Sequence, residues 1–277
     1  MESNATSLRL SAATFGYFHH EPPDIALREV GNIGFTEVEL TAGHPHIDFR
    51  RPVAQVAAEV AEWAQTAGVS ITTLNAAELN LISPLADVRE ISLRHYRWCL
   101  ELAGQLRVDF LVLIPGRRSL FAPMPDAEAN ALFDEQLGAL AATADRHDVT
   151  IAVETAPFGF MARVAEIRDA LARQASDRLA ITVDAANVLF AGCDPSQQLL
   201  EAGDLMSVAH FSDTWRERLA HTRIGTAEVD LAAYVRTLHE MKFTGPVVYE
   251  LADGQHPTEG LREDAAQLRA LGFALSP

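Results

Sequence analysis

The 277-residue sequence has only two cysteines, Cys99 and Cys193. They lie far apart and fit no metal-binding or redox spacing, so no disulfide framework organises the chain, and a reducing cytoplasm is the expected location. Cys99, within "YRWCLELAG", reads as a small core residue of a helix. Basic charge is also scarce: 22 Lys and Arg stand against 38 Asp and Glu, a net charge of −16. Such a surface repels phosphates, which argues against nucleic acid as a partner. No uninterrupted apolar run is long enough to span a bilayer. The opening "MESNATSLRLSAATF" joins no basic start to an apolar stretch, so neither a signal peptide nor a membrane partner is expected. Linkers rich in Gly/Ser or Pro, low-complexity tracts and long blocks of like charge are all missing. One domain over residues 1–277 is the expectation, and 48% hydrophobic residues supply material for a large core.

What is present is an alternation of two periods. Short β-rich runs occur at "LRLSAATF", "TEVEL", "VSITTLN", "FLVLIPG", "TIAVETA", "LAITVDAA", "MSVAHFSD" and "PVVYEL". Segments with helical spacing lie between them. In "VAQVAAEVAEWAQTAG", Val53, Val56, Val60, Trp63 and Ala67 share one helical face, and Leu231, Tyr234, Val235 and Leu238 do so in "LAAYVRTLHEMKF". Gly34 and Gly68 stand where helices should stop before the next strand. Eight strands alternating with helices predict an α/β fold with a parallel sheet, and eight units in this length predict a (β/α)8 TIM barrel. A doubly wound open sheet should carry a Gly-rich phosphate turn after an early strand, and no G-x-G-x-x-G occurs.

The last four strands end on Glu154, Asp184, His210 and Glu250, at intervals of about one βα unit each. Strand alternation turns Ile151 and Val153 outward, leaving Ala152 and Glu154 inside. By the same rule Thr182 and Asp184, Val208 and His210, and Val248 and Glu250 face inward. Four polar side chains thus converge at the C-terminal mouth, where barrel active sites lie. Any one of them alone could serve solvation or local hydrogen bonding. Three crowded carboxylates cannot all stay ionised without a cation, and three carboxylate oxygens with one imidazole suit a hard or borderline divalent metal.

With these residues in place, the chain resembles the xylose isomerase-like barrels: sugar isomerases and epimerases, ketose 3-epimerases among them, with inosose isomerase and dehydratase relatives. The resemblance is carried by Glu154, by "VDAAN", "AHFSDT" and "RIGTAEVDL", and by "YEL". It implies that Glu154, Asp184, His210 and Glu250 bind one divalent metal, Mn²⁺ first, with Mg²⁺, Co²⁺ or Zn²⁺ as alternatives. It also implies that Glu154 and Glu250 move the substrate proton. Family epimerases often place an Arg that contacts substrate oxygen six residues after the metal-binding His, here Arg216, and a His three residues after the Asp, where this chain has Asn187. The resemblance implies that Arg216 and Asn187 are substrate contacts. Asn187 can hydrogen-bond a hydroxyl but cannot be a cationic donor. Ala227 stands where Gly is usual in the turn "GTAEVD".

Further residues are candidates by position. Glu39 and Asn75, near the ends of strands two and three, are expected as substrate contacts. His44 and His46 in "TAGHPHID" read as exposed loop histidines. "FGYFHHEPP" offers aromatic walls, "PGRRSLFAPMPDA" has the content of a long lid-like loop, and Arg117 and Arg118 are candidates for a phosphate. The expected activity is isomerisation or epimerisation of a keto-sugar or keto-inositol through a metal-stabilised enediolate, with two glutamates as acid and base. Three alternatives remain open. One is a metal-dependent dehydratase of the inosose or 3-dehydroshikimate type. A second is an abasic-site endonuclease, disfavoured by Asn75 at the strand-three end and by the acidic charge. The third is a non-catalytic sugar-binding barrel. The expected partner is a small polyol or keto-sugar, and the sequence leaves homo-oligomerisation open.

Overall fold

The computed structural model describes residues 8–76, 79–119, 121, 124–158, 160–252 and 257–276. Seven strands follow one another as β1 (Arg9–Ala13), β2 (Glu37–Thr41), β3 (Ser70–Asn75), β4 (Phe110–Leu113), β5 (Thr150–Glu154), β6 (Leu179–Asp184) and β7 (Met206–Phe211). A short antiparallel hairpin, β8 (Asp213–Trp215) and β9 (Arg218–Thr222), precedes β10 (Pro246–Tyr249). The eight long-range strands pair in parallel and close in the order β1-β10-β7-β6-β5-β4-β3-β2, with β2 returning to β1. Around them run α1 (Pro23–Ile33), α2 (Val53–Ala67), α3 (Ala86–Leu106), α4 (Asp126–His147), α5 (Val164–Ala172), α6 (Ala185–Phe190), α7 (Pro195–Ala202), α8 (Leu231–Glu240) and α9 (Pro257–Ala270). This is the (β/α)8 barrel that the sequence period predicts. Among the described residues, no helix is long and apolar enough to cross a membrane.

Strand alternation divides the core in two, as expected from the sequence. Ile151, Val153, Ile181, Val183, Val247 and Tyr249 belong to the large apolar layer between sheet and helices. Ala13, Val112, Ala152, Val208 and Val248 form a separate cluster inside the barrel. Three of these inner residues stand two positions before Glu154, His210 and Glu250, so a small apolar plug floors the polar mouth. Helix stops also follow the chemistry of the sequence: Gly34 (φ 108°) and Gly68 (φ 69°) take the left-handed conformation that ends α1 and α2.

The β8–β9 hairpin was not legible in the sequence. Asp213 pins its return, accepting hydrogen bonds from the backbone N–H groups of Thr214, Ala227 and Val229 at 2.8–2.9 Å. The Arg218 guanidinium lies 3.7 Å from the centre of the Trp215 ring.

His95 of α3 illustrates how the outer layer seats a polar ring. Its Nε2 lies 2.8 Å from the Ala42 carbonyl oxygen, and the ring stacks on Phe49 at 4.3 Å. Burial pushes its pKa down to about 4, opposed only weakly by that hydrogen bond. The folded pKa is below the unfolded value, so this contribution to stability is present above pH ~6.5 and lost as pH falls towards 4. It is worth on the order of 3 kcal/mol. The stability advantage of the wild type over His95→Gln should therefore shrink between pH 7 and pH 4.5 in urea unfolding. An advantage independent of pH would contradict this.

Candidate active site

Strand register brings the four sequence-identified residues together. Asp184 lies opposite His210 across β6 and β7, and His210 lies opposite Val248 across β7 and β10, which sets Glu250 one step further up the same face. The Glu250 backbone N–H still donates to the Phe211 carbonyl at 3.0 Å, so its position is held by the sheet. One ligand atom from each of Glu154, Asp184, His210 and Glu250 falls within 4.8 Å of all the others. All four are at least 95% buried.

His210 is the hub. Its Nδ1 faces Glu154 Oε1 at 3.2 Å and Glu250 Oε2 at 3.4 Å, but makes no properly directed hydrogen bond with either. Asp184 has one oxygen occupied as the N-cap of α6, accepting from the Asn187 N–H at 2.5 Å, while Oδ2 is buried with no partner. An imidazole nitrogen and a carboxylate oxygen, both buried, both orphaned and both within one small cluster, are what a metal site leaves behind when its ion is removed from consideration. The donor set of three carboxylates and one imidazole fits a divalent cation.

The charges agree. Burial pushes the Glu154 carboxyl up to about 7 against the pull of His210. Asp184 is also raised, first by burial. Burial works against ionised Glu250, but His221 and His210 outweigh it and bring that carboxyl down to about 2. Burial disfavours the imidazolium of His210, yet Glu39, Glu154 and Glu250 hold its pKa well above the usual value. Protons and imidazolium charge thus occupy the place that a cation takes more effectively.

Two residues take roles that sequence reasoning missed. Glu39, expected as a substrate contact, is instead fully buried on β2, with Oε2 3.0 Å from His210 Nε2. It also accepts from Thr73 Oγ1 at 2.8 Å and Asn75 Nδ2 at 3.1 Å, so its acceptor capacity is spent on fixing the ring of His210. The inward alternation of β2 and β3 carries this arrangement, but sequence does not reveal which neighbour a buried Glu meets. The second is His221 of β9. Its Nδ1 is 3.0 Å from Ser212 Oγ and 3.6 Å from Glu250 Oε2, and its ring lines the cavity beside the cluster. Its signal was hidden by the unforeseen hairpin.

That cavity, about 320 Å³, is bounded by Asn75, Glu154, Asn187, His221 and Glu250 together with Phe15, Ile114, Phe158, Leu219, Ala220, Ala252 and Arg117. Asn75 and Asn187 therefore both line the cavity, as their strand-end positions predict. The Asn75 amide nitrogen is engaged by Glu39, which leaves its buried Oδ1 unpartnered. Asn187 Nδ2 approaches Glu154 Oε1 at 3.5 Å. Arg216 is not brought to the cavity: it is exposed at the hairpin turn, its N–H on Glu228 at 2.9 Å. The hairpin carries Arg216, the sixth residue after His210, outward and returns His221 inward. His44 is exposed, while His46 is buried, Nε2 2.8 Å from the Glu21 carbonyl. Arg118 turns away to pair with Asp126 at 2.6 Å.

A family model described as "Xylose isomerase-like TIM barrel" matches residues 27–271. The chain belongs to this family. Xylose isomerase-like barrels of solved structure superpose over nearly its whole length. A D-tagatose 3-epimerase-like protein matches with a TM-score of 0.82 at 16% identity, covering 96% of this chain and 98% of its own. The 3-keto-D-glucoside 4-epimerase of E. coli matches with a TM-score of 0.79 at 18% identity, covering 95% and 100%. An L-ribulose 3-epimerase gives 0.78 at 14%, covering 96% and 94%. No curated protein matches the sequence significantly. At these identities the neighbours establish the shared fold of the family.

The roles of Glu39 and Arg216 are separable by stability. Glu39→Ala strands His210, Thr73 and Asn75 without their common acceptor and should cost about 3–5 kcal/mol in urea unfolding. Arg216→Ala, at an exposed turn, should stay within about 0.5 kcal/mol. Similar costs for both would refute the assignment.

Proposed function

We propose that this protein is a divalent-metal-dependent isomerase or epimerase. On this reading it acts on a keto-sugar or keto-inositol by proton transfer at the carbon next to the carbonyl. The observation that carries the reading is the cluster of Glu154, Asp184, His210 and Glu250, with two glutamates facing one orphaned imidazole nitrogen at the floor of a cavity. Membership of a family whose structural neighbours include ketose 3-epimerases supports the same class. Glu154, Asp184, His210 and Glu250 would hold the ion, for which Mn²⁺ is our first choice. A divalent cation at this place supplies electrophilic polarisation of a carbonyl and offsets charge that develops as the neighbouring carbon loses its proton.

The chain's own residues supply the rest. Glu154 on β5 and Glu250 after β10 are separated around the ring by β6 and β7, so their carboxylates approach the floor of the cavity from different sides. One removes a proton from the carbon, and the other delivers one to the opposite face, which inverts that carbon. Asn75 Oδ1 accepts a bond from a substrate hydroxyl, since its amide nitrogen is committed to Glu39. Asn187 Nδ2 and the His221 ring donate to substrate oxygens from either side of the glutamates. Glu39 orients His210 and touches no substrate.

Two measurements test this reading. Incubated in heavy water with keto-sugars and keto-inositols, the metal-loaded protein should introduce deuterium beside the carbonyl of one of them. Glu154→Gln and Glu250→Gln should each slow that exchange at least ~10²-fold. Loss of water from the substrate would instead identify a dehydratase, and transfer between adjacent carbons without solvent label an isomerase with a single base. Metal binding is tested separately. Glu154 and His210 hold protons that must leave when a cation enters, so Mn²⁺ affinity should rise from pH 6 to pH 8 with net proton release. Calorimetry in two buffers of different ionisation enthalpy reads that release. Binding without it, or binding that survives Asp184→Asn undiminished, would contradict the ligand set.

A further inference from the structure

The cavity has two chemically different parts. Its hydrogen-bonding groups, Asn75, Glu154, Asn187, His221 and Glu250, gather at the buried floor. Among the described residues, the remaining wall is formed by Phe15, Ile114, Phe158, Leu219, Ala220 and Ala252, with Arg117 the one polar side chain there. Phe158 presents a ring that is 48% exposed, and the Arg117 guanidinium lies 5.4 Å from its centre. The wall is built rather than incidental. The Arg117 backbone is clamped on both sides by the Asn80 side chain, N–H to Oδ1 at 3.2 Å and Nδ2 to carbonyl at 3.1 Å. Gly116 before it takes φ 137°, and a Cβ there would press within 2.5 Å of Asn80 Oδ1.

A free hexulose carries a hydroxyl on almost every carbon. The floor can satisfy those around the reacting centre, but hydroxyls pushed against Ile114, Leu219, Ala220 and Ala252 would be buried without partners, at roughly 1–3 kcal/mol each. Aromatic walls accept the C–H face of a sugar ring; these aliphatic ones favour a group that has no hydroxyls at all. A volume of about 320 Å³ also falls in the range of cavities that hold drug-sized ligands, about 300–1,000 Å³.

We infer that the substrate is a keto-sugar glycoside with an apolar aglycone, the sugar on the polar floor and the aglycone against Phe158 and Leu219. The inference rests on the isomerase or epimerase reading and names the substrate class of the same site. A glycosidic bond occupies the anomeric carbon, so the carbonyl that activates the proton lies on another ring carbon, and the aglycone stays attached throughout.

The test compares the phenyl and methyl β-glycosides of 3-ketoglucose by calorimetry on the metal-loaded protein. Burying the phenyl ring should make its glycoside bind at least ~10-fold more tightly. That ratio should fall below ~3-fold in Phe158→Ala and in Leu219→Ser. The ratio, rather than either affinity, is the readout, so a general loss of binding does not imitate the result. Equal affinities in the wild type, or a ratio unchanged in both variants, would overturn the inference. So would a phosphorylated ketose that binds more tightly than the phenyl glycoside and depends on Arg117. Solvent-deuterium exchange into unsubstituted keto-sugars separates the two levels. Exchange without a phenyl preference removes only the aglycone, whereas a phenyl preference without exchange into any carbonyl sugar, phenyl 3-ketoglucoside included, removes the catalytic reading.

Discussion

The crowding of carboxylates around His210 is the constraint on which the rest of this structure depends. Glu39, Glu154 and Glu250 all approach one buried imidazole, and Asp184 stands beside them. In a protein interior such a cluster is tolerated only if positive charge is brought to it. Without a metal, that charge is the imidazolium of His210, helped by a proton on Glu154 and by His221. The barrel bears the electrostatic load on four strands, β2, β5, β6 and β7, each fixed by its neighbours in a closed sheet, and on the segment after β10, so the groups cannot drift apart to relieve the repulsion. Glu39 then has a clear purpose: by occupying Nε2 it leaves Nδ1 as the nitrogen turned towards the other carboxylates.

Much of this was legible in sequence because parallel barrels follow two simple rules. Strands alternate in and out, and functional groups collect at the strands' C-terminal ends. These rules were enough to bring Glu154, Asp184, His210 and Glu250 together, and to place Asn75 and Asn187 at the cavity. They do not say whether an inward side chain meets substrate or another side chain. Glu39 looked like a substrate contact because it stands near the C-terminal end of its strand. Only the closed barrel, in which Glu39 reaches from β2 past β1 and β10 to β7, shows that its partner is His210. Arg216 lies away from the cavity, and His221, which sequence did not single out, lines it, for a different reason. The β8–β9 hairpin is held by local bonds to Asp213 and Thr214 and does not follow the βα period. Spacing counted from His210 loses its meaning once the chain enters that hairpin.

The division of labour matches this division of legibility. The proposed reaction chemistry rests on strand ends, whereas the rest of the cavity is lined from loops: Phe15 after β1, Arg117 after β4, Phe158 after β5 and the hairpin residues Leu219 to His221.

The central claim is that four strand ends form one metal centre with His210 as its nitrogen donor. Anomalous diffraction from a crystal grown with Mn²⁺ tests it most directly. The account predicts one strong peak enclosed by Glu154, Asp184, His210 and Glu250, bonded to Nδ1 of His210 at about 2.0–2.3 Å, with Nε2 still on Glu39. A peak elsewhere, or His210 bound through Nε2 with Glu39 displaced, would contradict it.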